Sequence, residues 1–142
     1  MKVGVVGIGG ITEPKQFQSS WLLYRFIASL FPRNTGLCQL RSTLEFYGKP
    51  SSPAWDALDS VHHVQEFHSP MLLIHGARDF VYKVDNLRSL QRSYDRQRSA
   101  GVAFPEIEFF YLPDGDHFTP HERPDVQRRI LAFLERCEHA AA

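Results

Sequence analysis

Residues 69–79 read SPMLLIHGARD, an apolar run that ends in a His-Gly pair and then presents one carboxylate, Asp79. A second stretch has the same form, since residues 107–112 are mostly apolar and the turn residues 113–115 lead on to His117. Short apolar runs bounded by turn-forming residues are typical of buried strands. We therefore predict two strands, each followed at its carboxyl end by a titratable side chain.

The rest of the chain alternates between strand and helix patterns. Residues 2–8 are apolar and β-branched, which predicts a third strand, whereas residues 83–99 carry apolar side chains at helical spacing. Further helical segments are predicted over residues 20–31, 39–47, 53–58 and 124–137. Alternation of strands and helices indicates a parallel sheet. We therefore expect an α/β fold in which helices flank three parallel strands.

The two strand ends predict one chemical site. In an open α/β sheet, the loops at the carboxyl ends of neighbouring strands converge. A carboxylate at Asp79 can accept a hydrogen bond from one nitrogen of His117, so that the other nitrogen can take a proton from a nucleophile. Asp before His is also the order of the last two members of a Ser-Asp-His triad. The alternative is that Asp79 caps a helix and His117 is an ordinary loop histidine.

The sequence around these residues resembles a known family. The likeness lies in residues 69–79, in His62-His63-Val64 before them and in Gly115-Asp116-His117-Phe118 after them. These stretches are similar to the C-terminal part of the prolyl oligopeptidase family, which belongs to the α/β-hydrolases. The resemblance reaches back to residues 3–10, which are similar to the strand after the nucleophile turn, and forward to the last helix.

The resemblance implies that residues 1–142 form a partial α/β-hydrolase domain, with Asp79 as the triad acid and His117 as the triad base. Two departures accompany it. Family members commonly show Asp-x-x-Val-Pro at the acid, whereas Asp79 is followed by Phe-Val-Tyr-Lys. The Gly-x-Ser-x-Gly turn of the nucleophile does not occur in the sequence, and with the oxyanion-hole segment it would precede Met1.

The predicted function is that of the C-terminal portion of a serine hydrolase, either a prolyl oligopeptidase-like peptidase or an esterase. We expect the chain to supply the acid and base of the triad to a peptide or ester substrate once a nucleophile half completes it. Alone, we expect it to be inactive. The alternative is a non-catalytic, truncated α/β-hydrolase or a module that binds a partner.

Other candidate nucleophiles within the chain do not match the strand-turn-helix pattern that exposes a nucleophile. Cys38 has a glycine two residues before it but none two residues after it, and it follows a predicted helix rather than a strand. Ser19 and Ser20 precede a helix, where serine is a typical N-cap residue. We therefore interpret Cys38 as a structural cysteine and the two serines as helix caps.

Two motifs raise the question of a cofactor or a metal. Gly7-Ile8-Gly9-Gly10 follows a strand, but the third glycine of a dinucleotide fingerprint would fall at Thr12, and the acidic residue that the motif needs is missing. His117 and His121 are close in sequence, but Pro120 argues against a helix that would stack them. We expect neither a cofactor nor a metal site.

Composition limits the partners. Lys and Arg together number 16, as do Asp and Glu, so no basic surface for nucleic acid is expected. No stretch is long enough to span a bilayer, and the apolar start lacks the cleavage pattern of a signal peptide. Two cysteines imply no disulfide framework. We therefore expect a cytoplasmic protein that binds neither nucleic acid nor membrane.

Residues 3–8 also predict a self-association surface. A strand that lacks one neighbour presents unpaired N–H and C=O groups, and native proteins protect such edges with charges, bulges or proline. This segment carries no charged side chain, and the one charged side chain before it is that of Lys2. We expect the chain alone to be marginally stable, and either to self-associate through this edge or to require the missing half of the sheet.

Overall fold

The sheet has three parallel strands whose order in space is their order along the chain. The structure, a computed structural model, describes residues 4–9, 26, 53–57, 59–80 and 82–140. Strand β1 pairs with β2, and β2 pairs with β3. The elements, in chain order, are β1 (Val5–Ile8), α1 (Pro53–Asp56), β2 (Met71–Gly76), α2 (Asp85–Ser99), β3 (Ile107–Leu112) and α3 (Pro124–His139), with single 3-10 turns at Val64–Glu66 and Pro120–Glu122.

The chain divides into two compact units, Met1–Thr12 with Val61–Ala142, and Glu13–Ser60. The whole sheet, α2 and α3 belong to the first unit, and α1 belongs to the second. The single domain that the sequence predicts over residues 1–142 stays a prediction.

The predicted α/β fold with three parallel strands and flanking helices is confirmed. Strand β2 is longer than the sequence suggests, because its ladder with β3 continues through His75, opposite Tyr111, and Gly76, opposite Leu112. The turn after β2 therefore begins two residues later than expected. The helices predicted over residues 20–31 and 39–47 lie outside the described residues, apart from Phe26, which is helical.

Both faces of the sheet are buried. Successive side chains of β2 point to opposite faces, because a strand has a period of two. On one face, the sheet and α2 share an apolar cluster. Its buried members are Val64, Leu73, Leu87, Leu90, Tyr94 and Ile107. On the other face, a cluster packs against α3, formed by Leu72, Ile74, Leu112, Val126, Phe133 and Cys137. Each fully buried Leu or Ile contributes about 1.5–3 kcal/mol, so these two clusters hold the sheet between the helices.

The helix ends follow from local chemistry. Helix α3 begins at Pro124, whose fixed φ suits the first turn, and Asp125 lies in that turn beside the positive end of the helix dipole. Helix α2 ends shortly before Gly101, which has a φ of +82°, a conformation that favours glycine. Along the chain, α2 follows the loop that carries Asp79, and α3 follows the loop that carries His117.

Candidate active site

Asp79 and His117 lie together beyond the carboxyl ends of β2 and β3. The Nδ1 atom of His117 is 2.9 Å from Oδ2 of Asp79. A carboxylate accepts hydrogen bonds, so Nδ1 carries the proton and donates it, and in the neutral ring Nε2 remains an acceptor. The side chain of Asp79 is 1% exposed and that of His117 is 22% exposed. The acid is therefore buried behind an imidazole that solvent can reach.

The loop after β2 holds the second oxygen of the Asp79 carboxylate. Oδ1 accepts a hydrogen bond of 2.8 Å from the backbone N–H of Tyr82. The backbone N–H of Asp79 donates to the carbonyl of Gly76 at 3.2 Å, which folds the loop back on the strand end. Although the sequence after Asp79 departs from the family pattern, this loop still directs the carboxylate at His117.

The two loops of the site contact each other backbone to backbone. The N–H of Arg78, in the first loop, donates to the carbonyl of Gly115, in the second, at 2.9 Å. A Cβ on Gly76 would lie 2.5 Å from the backbone oxygen of Asp116. Since no side chain tolerates that approach, position 76 requires glycine for the loops to meet.

Asp116 shapes the chain immediately around His117. Its Oδ1 accepts hydrogen bonds from the backbone N–H groups of Thr119, at 2.8 Å, and Phe118, at 2.9 Å. The Thr119 hydroxyl donates to the same oxygen at 2.9 Å. These hydrogen bonds, that of the Thr119 N–H above all, hold the pKa of Asp116 below its ordinary value. The Asp116 carboxylate therefore closes the turn that carries His117.

Arg123 ties this loop to the start of α3. Its Nη1 donates to Asp114 at 2.6 Å, and its Nη2 donates to Asp125 at 2.9 Å. These hydrogen bonds lower the pKa of both carboxyl groups. Sequence analysis assigned no role to Arg123, because a cation that bridges two nearby carboxylates has no signature beyond ordinary surface charge.

Two aromatic rings contact His117. The ring centroids of Tyr82 and Phe118 each lie 5.0 Å from that of the imidazole, in edge-to-face geometry. The ring centroids of Phe80 and Phe118 are 6.0 Å apart, and these two phenyl groups are largely exposed. Gly9, just past β1, lies beside the imidazole, since a Cβ on it would be 3.8 Å from Nδ1. All three strand ends therefore converge on His117.

No protein-family model and no curated protein matches the chain, but solved structures do. An acylaminoacyl peptidase of Pyrococcus horikoshii matches with a TM-score of 0.58 and 18% identity, over 95% of this chain and 19% of the peptidase. An esterase of Pyrococcus furiosus matches with a TM-score of 0.51 and 21% identity, over 92% of this chain and 44% of the esterase. BpoC of Mycobacterium tuberculosis H37Rv, described as a non-heme bromoperoxidase, matches with a TM-score of 0.51 and 17% identity, over 94% of this chain and 58% of BpoC.

These neighbours share one architecture. The three parallel strands and flanking helices of this chain correspond to part of an α/β-hydrolase fold. The peptidase represents the prolyl oligopeptidase family, so the resemblance that the sequence shows to that family is confirmed at the level of the fold. The chain spans 19% of the length of that peptidase.

The other candidate residues lie apart from the Asp79–His117 pair or outside the described part of the chain. The side chain of His121 is 62% exposed and is 3.8 Å from Glu122. Within the residues that the structure describes, no group of three or more His, Cys, Asp or Glu could hold a metal ion, and no helix is long and apolar enough to cross a bilayer. Cys38, Ser19 and Ser20 lie outside the described residues.

Sequence reasoning missed His75 and Tyr82. His75 was expected in the turn after β2, but it belongs to the strand, and its side chain is 1% exposed. The available signal was a polar residue that directly continues an apolar strand, since buried polar side chains are usually hydrogen-bonded. Tyr82 had no such signal, because its backbone rather than its side chain holds the acid.

Proposed function

We propose that this chain supplies the acid, Asp79, and the base, His117, of a Ser-Asp-His triad in a serine hydrolase. The observation that carries the proposal is the hydrogen bond of 2.9 Å from His117 Nδ1 to a buried carboxylate. Burying a carboxylate is costly unless it is hydrogen-bonded, and Asp79 has its partner in His117. A buried carboxylate that orients a partly exposed imidazole is the arrangement that a triad needs, which favours catalysis over a purely structural role. The likeness of the fold to a peptidase and an esterase agrees with this reaction class.

The proposed reaction is acyl transfer. A serine attacks the carbonyl carbon of a peptide or ester, and Nε2 of His117 takes the hydroxyl proton as the new C–O bond forms. The buried Asp79 carboxylate stabilises the resulting imidazolium. His117 then returns the proton to the leaving amine or alcohol as the bond to the acyl carbon breaks. The serine comes from elsewhere, because the sequence contains no Gly-x-Ser-x-Gly turn.

A fluorophosphonate probe tests this function, since it labels a serine that a base activates. We expect no labelling of this chain alone. We expect labelling of a longer polypeptide in which a Gly-x-Ser-x-Gly segment precedes the chain, and loss of that labelling with His117→Ala. Stoichiometric labelling of the chain alone would place the nucleophile within it. Labelling of the longer polypeptide that survives His117→Ala would remove His117 from the reaction.

The second candidate function is a non-catalytic module that binds a partner through β1. Among the described strands, β1 and β3 each have a neighbour on one side only. Val5 and Ile8 on β1 are 40% and 37% exposed. An apolar sheet edge is a template for pairing with another strand, and β1 is the feature of the described sheet that favours this alternative.

A further inference from the structure

His75 is a buried titratable side chain to which the proposed reaction gives no role. It lies in β2 opposite Tyr111, and its side chain is 1% exposed. Its Nε2 atom is 2.6 Å from the backbone carbonyl oxygen of Tyr82. Since a carbonyl oxygen only accepts, Nε2 carries a proton and donates it, which assigns the tautomer of His75.

Tyr82 connects His75 to the acid. Its backbone N–H donates to Oδ1 of Asp79 at 2.8 Å, and its carbonyl accepts from His75. The two peptide groups that flank the Tyr82 Cα are therefore both anchored, one by the acid and one by the strand. The Tyr82 ring also contacts the imidazole of His117. A shift of residue 82 would thus disturb the acid and the base together.

His75 also acts on the carboxylate directly. Its Nε2 lies 3.5 Å from Oδ2 of Asp79, the oxygen that accepts from His117. The proton on Nε2 gives this edge of the ring a partial positive charge next to a buried negative one. That field favours the carboxylate in its observed orientation, because electrostatic interactions are strong where water is excluded.

We infer that His75 is a positioning residue for the Asp79–His117 pair. The donor on Nε2 holds the Tyr82 carbonyl, so that the Tyr82 N–H stays on Oδ1 and Oδ2 stays on His117. The role of His75 in catalysis rests on the proposed function, but its effect on the geometry of the Asp79–His117 pair does not. That effect is therefore measurable without a nucleophile.

The test is a matched pair of variants, His75→Gln and His75→Met. Gln and Met are nearly equal in length and volume, but only Gln keeps an N–H donor at its end. Long-range nitrogen–proton NMR correlations of the full chain report the tautomers of His75 and His117, and solvent exchange reports the His117 Nδ1 proton. Leu90→Ala is the control, since Leu90 is buried in the cluster on the α2 face.

In the unsubstituted chain we expect the Nε2–H tautomer at His75 and the Nδ1–H tautomer at His117. His75→Gln should keep the His117 signature. In His75→Met, the His117 Nδ1 proton signal should be lost, or its exchange with solvent should be about tenfold faster. A tenfold change is about the effect that one hydrogen bond of ordinary net strength has on a local opening equilibrium. Leu90→Ala should lower the unfolding temperature and leave the His117 signature in place.

Three results would overturn the inference. They are an Nδ1–H tautomer at His75 in the unsubstituted chain, an intact His117 signature in folded His75→Met, or equal loss of that signature in His75→Gln. If His75→Met does not fold, the tautomer of the unsubstituted chain and the His75→Gln spectrum decide the matter between them. Fluorophosphonate labelling reports separately on the proposed function, so failure of one does not imply failure of the other.

Discussion

A Cβ atom on Gly115 would lie 3.0 Å from the Cα of Gly76, so the loops that carry His117 and Asp79 meet with no side chain between them. The hydrogen bond from the Arg78 N–H to the Gly115 carbonyl closes this contact. The distance between Asp79 and His117 is thus set first by two glycines and only then by the hydrogen bond of the pair.

The Gly76 contact predicts a large cost for one methyl group. We expect Gly76→Ala to lower the free energy of unfolding by about 1–3 kcal/mol or more, because rigid backbone atoms block the Cβ. Urea unfolding measures this loss, and the His117 Nδ1 proton signal should also change. Gly101→Ala is the control: its Cβ has open space, so it should lose only about 1–2 kcal/mol through its positive φ and leave the His117 signal unchanged. A Gly76→Ala chain with unchanged stability would contradict the contact.

Asp79→Asn should reverse the tautomer of His117 while the fold is kept. The amide oxygen can still accept from the Tyr82 N–H, which turns the amide NH₂ toward Nδ1 of His117. Nδ1 must then accept, and the proton moves to Nε2. Circular dichroism should be unchanged and the nitrogen spectrum of His117 altered. In a complete enzyme, a change of this kind costs roughly 10⁴-fold in kcat. An Nδ1–H tautomer that persists in Asp79→Asn would show that the carboxylate does not orient the ring.

Acid should weaken the link that Arg123 makes between the site loop and α3. Hydrogen bonds from Arg123 lower the pKa of Asp114 and Asp125 in the folded chain. Their contribution to stability is therefore present above the ordinary Asp pKa of about 3.9 and is lost as the pH falls through the lower, folded values.

The matching measurement is the unfolding temperature of Arg123→Gln and of the unsubstituted chain over a series of pH values. We expect the unsubstituted chain to be the more stable near neutral pH, and the difference to shrink below about pH 4. Arg92→Gln is the control, because Arg92 donates to the Ser89 hydroxyl at 2.8 Å, and its effect should not follow the titration of Asp114 and Asp125. A difference between Arg123→Gln and the unsubstituted chain that stays constant to low pH would contradict the pKa directions.

The edge of β1 predicts self-association of the chain. Val5→Lys should reduce the mean mass in light scattering, since a lysine on an edge strand opposes pairing with another chain. Val102→Lys is the matched control, because Val102 is also 40% exposed and lies outside β1. A clean monomer with a cooperative, concentration-independent unfolding transition would show that the edge at residues 3–8 drives no association.

The arrangement of elements was predictable because it depends on local patterns. The apolar runs of β2 and β3 and the helical spacing of α2 and α3 are each visible within one short window. The same windows place Asp79 and His117 just beyond strand ends. The length of β2 was wrong: the local pattern places His75 and Gly76 in a turn, but they become strand residues because β3 supplies partners for them.

The sequence alone determined the fold class, the order of Asp79 and His117 along the chain, and the position of each just past a strand end, since these depend on residues that are neighbours in sequence. Tertiary structure decided that Nδ1 of His117 points at Oδ2 of Asp79, that His75 is buried behind the acid, and that Gly76 and Gly115 touch. The physical reason is that strand register and side-chain direction depend on packing between residues far apart in sequence, which no local pattern records.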